Sequence, residues 1–230
     1  MASIIRSVLI SKGTCVEKLQ KPKNPPVSKH IICSIVAAIF DPLGLISPVV
    51  YKIFLQQLWL HKLHWDDQLP SELLNHWKDI YLCLSQVIEM TIDRLVLANG
   101  QPTEIQLRGF CDPSEKAYGA CLYLHCVNQQ GKVTTKLLCS KLRVAPFKKI
   151  TLRLELCGPL LVAQLIQKTI PALNLKIPRN LLWPDSTIVL SCLATWPVSL
   201  LPTVSQIQEL TAGSEWRHVT SAAIPADVIS

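Results

Sequence analysis

The spacing of apolar residues changes character along the chain. Between residues 31 and 90 it is helical. Ile35 and Ile39, then Val50, Phe54 and Leu58, recur at four-residue intervals and predict two helices. "DPLG" (41–44) separates them, with Pro42 presetting a turn and Gly44 permitting a positive φ. A further stripe of Leu73, Trp77, Ile80 and Leu84 predicts a third helix, with Ser71 a candidate N-cap.

Beyond residue 100 the pattern becomes that of strands. "IQLRGFC" and "AYGACLYLHCV" read as two strands, and "NQQGK" turns the chain into a third, "VTTKLLCSKLRV". "LELCGPLLVAQLIQKT" follows as a buried helix. "NLLWPDSTIVLSCL" gives a strand, a turn and a helix start. "VSQIQEL" fits no single period, "EWRHV" reads as a short strand, and "IPADVIS" opens a last helix. The order β-β-β-α-β-α-β-α predicts an α/β fold. Three antiparallel strands followed by α/β units make a mixed sheet with helices over its faces. Residues 1–30 end in "KLQKPKNPPVSKH", basic and proline-rich without an apolar period, and read as a tail or linker. The predicted organisation is therefore 1–30 tail, 31–98 small helical module, 99–230 sheet domain.

Composition adds limits to this picture. At 230 residues, 49% apolar and 17% charged, the chain has the length and hydrophobicity for a real core. Lys and Arg outnumber Asp and Glu by 23 to 16, which suits an anionic partner such as nucleic acid and equally suits an ordinary basic surface. Nine cysteines lie scattered through apolar runs without a CxxC. Cys121 and Cys126 are the nearest pair, and no second cluster completes a zinc site. The thiols are expected to be free and buried, in a reducing compartment. The first residues lack a signal-peptide core, and the apolar stretches, broken by Asp41, Asp185 or prolines, are expected to fall short of the ~18 residues of a membrane helix. A soluble intracellular protein, cytoplasmic or nuclear, is expected.

The chemistry, if any, lies in the acids of the second half. Asp112 ends the first predicted strand, and Glu155 opens the buried helix. Asp185 follows the fourth strand, and Asp227 opens the last helix. Carboxylates from four elements could gather on one sheet edge, where their mutual repulsion calls for cations. Mg²⁺ favours such oxygen ligands, and two ions can activate a water and stabilise the leaving oxygen of a phosphodiester. Each acid also has a plain reading. Asp112 before Pro113 starts a turn, while Asp185-Ser186 and Asp227 cap helices. Only Glu155, on an apolar helix face, lacks one.

"AAIFDPLGLISPVV", "LQQLWLHKLHWDDQLP", "GFCDPSEKAYGACLYL", "SKLRVAPFKK", "LRLELCGPLL", "DSTIVLSCL", "IQEL…WRHV" and "PADVIS" together resemble the Pao (BEL/Pao) retrotransposon polyprotein. The similarity runs from about residue 28 to the end of the chain. It spans the connection region after the reverse transcriptase and then the ribonuclease H-like domain. The resemblance implies a ribonuclease H-type fold and hydrolysis of RNA in RNA–DNA hybrids with two Mg²⁺ ions. It assigns the metal-binding, catalytic acids to Asp112, Glu155, Asp185 and Asp227. It implies nucleic acid and the reverse transcriptase portion of the parent polyprotein as partners, with no membrane. Arg217 and His218, ahead of the last helix, either touch phosphate or assist the leaving group, or hold plain strand positions. The segment is sometimes labelled a peptidase. Asp112 is followed by Pro113 and Ser114 rather than the Thr/Ser-Gly an aspartic peptidase needs, so that activity is not expected.

This copy departs from the family pattern. "KKITLRLEL" is shortened before Glu155. Pro159 removes a helix hydrogen bond to the Glu155 carbonyl, and Pro184 stands beside Asp185. The stretch before "VSQIQEL" is reduced, and the chain stops just after Asp227. Impaired catalysis is therefore expected. The alternative is a non-catalytic remnant that binds nucleic acid or a polymerase.

Overall fold

The computed structural model describes residues 28–38, 52–87, 102–114, 117–145, 151–195 and 202–220. The "DPLG" turn, almost all of the predicted tail and the "IPADVIS" segment with Asp227 lie outside the described residues. The chain divides into two compact units, with the division between Asp93 and Arg94.

The first unit holds helices α1 (Lys29–Ala38), α2 (Lys52–Leu60) and α3 (Ser71–Val87). Trp77, Phe54, Leu58 and Ile32 are almost wholly buried, with Val36, Leu73 and Ile80 beside them. Leu73, Trp77 and Ile80 of the expected α3 stripe are thus buried, and the side chain of Leu84 lies outside the described residues. On α1 the buried positions are Lys29, Ile32 and Val36, and Ile35 is only half-buried. Ser71 is the first helical residue of α3 rather than its cap, since the Pro70 carbonyl accepts from the Leu74 N–H at 2.9 Å. The Lys29 ammonium lies 3.9 Å from the Trp59 ring centroid and donates to the Leu63 carbonyl at 3.4 Å. This cation–π seat allows a lysine to be buried at the start of α1.

The second unit is a five-stranded sheet with three helices. Strands β1 (Glu104–Pro113), β2 (Ala117–Val127) and β3 (Val133–Val144) form the expected antiparallel meander. Helix α4 (Thr151–Leu173) then crosses back to β4 (Arg179–Pro184), which pairs parallel with β1. Helices α5 (Thr187–Thr195) and α6 (Pro202–Leu210) precede β5 (Glu215–Trp216), parallel to β4. The sheet order is β3-β2-β1-β4-β5. "VSQIQEL", ambiguous by period, belongs to α6, because Val204 and Ile207 bury one face. The strand expected at "EWRHV" is two residues long, yet its ladder continues. The Arg217 N–H donates to the Leu182 carbonyl at 2.8 Å and the Val219 N–H to the Pro184 carbonyl at 3.3 Å.

One core fills the space between the sheet and α4, with Leu107, Cys111, Leu122, Leu124, Leu161, Val162 and Leu182 at its centre. A second gathers Leu156 of α4, Val189 and Cys192 of α5, and Val204 and Ile207 of α6. Residues Leu154–Leu173 of α4 are long and apolar enough to cross a membrane by length and composition. That corrects the expectation of no such stretch, but this segment packs on β1 and β2 as the core helix. Of the seven cysteines described, all are free. Cys111, Cys121, Cys126 and Cys192 are buried as expected, whereas Cys33, Cys139 and Cys157 are only partly so.

Two positions test this packing. A Cβ at Gly109 would lie 2.7 Å from Leu182 Cδ2 and 2.8 Å from Val162 Cγ2, both fully buried side chains. Gly109→Ala is expected to destabilise the fold by about 1–3 kcal/mol, an overpacking cost, read as a lowered Tm in thermal denaturation. Pro159 sits inside α4, well past its first turn, and leaves the Glu155 carbonyl without its helical donor. Pro159→Ala is expected to raise Tm, by at most ~3 kcal/mol of helix stability. An unchanged Tm would mean that the helix has adapted to the proline.

Candidate active site

Parallel pairing of β1 with β4 brings the first two acids together. The last rung of that ladder is Cys111 opposite Pro184. The next residue on each strand is an acid, Asp112 and Asp185. Neighbouring strands lie about 4.8 Å apart, so the two backbones enter the strand ends side by side. Asp112 is buried at 6% exposure, and Asp185 is half-buried.

Glu155 reaches the same place from α4. The helix can approach the end of β1 because Gly158 has no side chain. A Cβ there would stand 3.4 Å from Cys111 Cβ and 3.7 Å from the Asp112 backbone nitrogen. Glu155 lies three residues before Gly158, hence on the same helix face. The Cys111 thiol records the convergence. It is pushed well up, first by burial and then by the charges of Asp185, Cys121, Asp112 and Glu155. One buried sulfur therefore feels all three described acids.

Glu155 is also perturbed. Partial burial raises its carboxyl, the Ser186 hydroxyl that hydrogen-bonds to it lowers it, and the Asp185 charge raises it again. Ser186 has a second role, since its carbonyl accepts from the Leu190 N–H at 3.4 Å where α5 begins. The His218 ring Nε2 lies 3.0 Å from the Asp185 carbonyl oxygen and, as a donor, fixes the backbone that carries this acid. Arg217 does not face the acids; its guanidinium bonds Glu215 at 2.8 Å. Arg179 pairs with that same carboxylate, also at 2.8 Å. Chiefly through Arg179, the Glu215 carboxyl is held down at about 2.

The sequence-predicted site is thus brought together in part. Asp112 and Asp185 stand at the paired ends of β1 and β4, and Glu155 of α4 is near enough for its charge to act on the same thiol, while Asp227 lies outside the described residues. Sequence reasoning missed Ser186 as the partner of Glu155 and Gly158 as the residue that admits the helix. The signals were present as the Asp-Ser step after a strand and a glycine three residues from the acid. The donor set fits a hard cation such as Mg²⁺, which takes one or two carboxylates and keeps its waters. Among the described residues, no three His, Cys, Asp or Glu side chains are close enough together to hold one ion.

The family model described as the Pao retrotransposon-like RNaseH-like domain matches residues 28–186. The chain belongs to this family. No curated protein matches this Pao-family chain significantly. Among solved structures, it is similar to the foamy viral protease-reverse transcriptase in complex with dsDNA, at 13% identity and a TM-score of 0.51. That match covers 96% of this chain and 41% of the viral one. RNase H1 from Halobacterium salinarum matches at 15% identity and a TM-score of 0.38, covering 54% of this chain and 93% of the archaeal one. LC11-RNase H1 in complex with RNA/DNA hybrid matches at 10% identity and a TM-score of 0.37, covering 55% and 93%. The fold of the Pao-family chain is ribonuclease H-like, a mixed sheet with flanking helices.

The raised Glu155 carboxyl gives a pH signature. The fold favours its protonated form, so the associated stability is present below the ordinary carboxylate value of 4.5 and is lost as pH rises through the higher folded value. In chelator, Glu155→Gln is expected to melt above the parent near pH 8 and level with it near pH 4. A gap that does not change between those pH values would show that Glu155 carries no charge penalty.

Proposed function

We propose that this domain hydrolyses the RNA strand of RNA–DNA hybrids through a Mg²⁺-dependent, ribonuclease H-type reaction. The observation that carries the reading is the β1–β4 register, which sets Asp112 and Asp185 side by side at the strand ends, with Glu155 of α4 near enough for its charge to reach the Cys111 thiol beside them. Three acids drawn to one strand end of an apolar scaffold repel one another, and that cost calls for a cation. Family membership supports the same reaction class.

In this reading Asp112, Glu155, Asp185 and Asp227 hold Mg²⁺, which when bound supplies an activated water and stabilises the leaving oxygen of the phosphodiester. The chain's own residues set the geometry. Ser186 orients the Glu155 carboxylate, and His218 holds the Asp185 backbone. Gly158 keeps α4 close to Asp112. The net charge of +7 suits a polyanionic substrate. The reverse transcriptase portion of the parent polyprotein is the second proposed partner, and the cytoplasm or nucleus the proposed location.

A second reading is a domain that binds hybrid without cutting it. The absence of a three-ligand group among the described residues favours it, as does Pro159 one turn beyond Glu155. Hybrid cleavage by the purified chain, with Mg²⁺ and with EDTA, separates the two. The catalytic reading expects Mg²⁺-dependent cleavage that Asp112→Asn lowers on the order of 10²-fold or more, with the fold retained. Equal rates in variant and parent remove Asp112 from the mechanism, and no cleavage by the parent leaves the binding reading.

A further inference from the structure

We infer that Lys141 and Arg143 on β3 form a phosphate-contacting strip that aligns the nucleic-acid backbone with the acids. The inference rests on the reading above and adds the residues that place its substrate. Both lie in "SKLRVAPFKK", a segment of the family resemblance to which the site as built gives no role.

Register places them. Across the sheet, Lys141 is opposite Ala120, Ala120 opposite Cys111, and Cys111 opposite Pro184. Arg143 is opposite Tyr118, which is opposite Pro113. The two cations therefore stand at the end of the sheet where Asp112 and Asp185 leave it. They are two residues apart on one strand, hence on one face. Their partners Ala120 and Tyr118 belong to the core beneath α4, so they share the face of α4, while Asp112, opposite Gly119, is on the other face and meets them only at the common strand end. Helix α4 packs on β1 and β2, and β3 is the outer strand beside it. Arg143 is exposed and Lys141 half-buried.

Charge supplies the reason. Three carboxylates at one strand end repel a phosphodiester chain, and cations close by offset that repulsion. Every charged residue of β3 is basic, namely Lys136, Lys141 and Arg143. Arg143 stands two strand spacings, about 10 Å, from Pro113, which is roughly three nucleotides of rise along one strand. An Arg can grip a phosphate with two parallel hydrogen bonds, while a Lys acts as a point charge. The rival role is protection of the edge strand against pairing with another chain, which lysines also serve.

Binding of a fluorescently labelled RNA–DNA hybrid to the full chain, followed by anisotropy in EDTA over a range of KCl, decides between these roles. Lys141→Ala with Arg143→Ala is expected to weaken binding ~10-fold or more and to reduce the slope of log affinity against log salt by about two. The charge-preserving pair Lys141→Arg with Arg143→Lys is expected to keep the slope. Unchanged affinity and slope in the alanine pair overturn the inference, as does a parent that binds no hybrid. Equal losses in both pairs with a lowered Tm overturn it in favour of a structural role. A parent that binds with the expected slope but never cleaves in Mg²⁺ removes the catalytic reading and leaves this one standing.

Discussion

The parallel ladder between β1 and β4 is the constraint on which the site depends. These strands are separated in sequence by two strands and a 23-residue helix. Their pairing ends one residue short of an acid on each side. Tight packing against this ladder sets the height of α4. Gly109 leaves no room for even a methyl group between Leu182 and Val162, and Gly158 lets the helix backbone down onto Cys111 and Asp112. The same close approach that excludes water from the core carries Glu155 to the strand ends.

The chain places these acids at a cost. The Glu155 carboxyl is raised by burial and by the Asp185 charge, and only the Ser186 hydroxyl works against that. The Cys111 thiol is held neutral by burial and by three surrounding carboxylates. A fold selected for stability alone has no reason to gather like charges here. At the other end of β4 an acid is paired. Glu215 lies between Arg179 and Arg217, where it ties the start of β4 to the short β5.

Much of the fold was legible because its elements are strongly patterned. The β1–β2–β3 meander follows from alternating runs joined by a glycine turn, and Gly131 indeed takes a φ of 76°. The α3 stripe of Leu73, Trp77 and Ile80 is buried as its spacing implies. The failures have local causes. Lys29 is buried against Trp59, so α1 begins within what the sequence suggested was the tail, because a cation–π contact is invisible to periodicity. The helical identity of "VSQIQEL" depends on a pocket for Val204 and Ile207 supplied by α4 and α5. The helix expected at "LELCGPLLVAQLIQKT" is extended at both ends and runs through Pro159 and Pro171, because its packing against the sheet outweighs the two lost hydrogen bonds.

By itself the sequence determined the order and type of the main elements, the family, and which acids stand at element ends. These are properties of neighbouring residues along the chain, where side-chain period and turn chemistry act over a few positions. Tertiary structure decided that Asp112 and Asp185 end adjacent strands, that Glu155 lies near them with Ser186 bound to it, and that Lys141 and Arg143 stand at the same end of the sheet. Those facts depend on strand register and on the depth to which a helix settles. Both are fixed by packing between residues far apart in the chain, which no local pattern encodes.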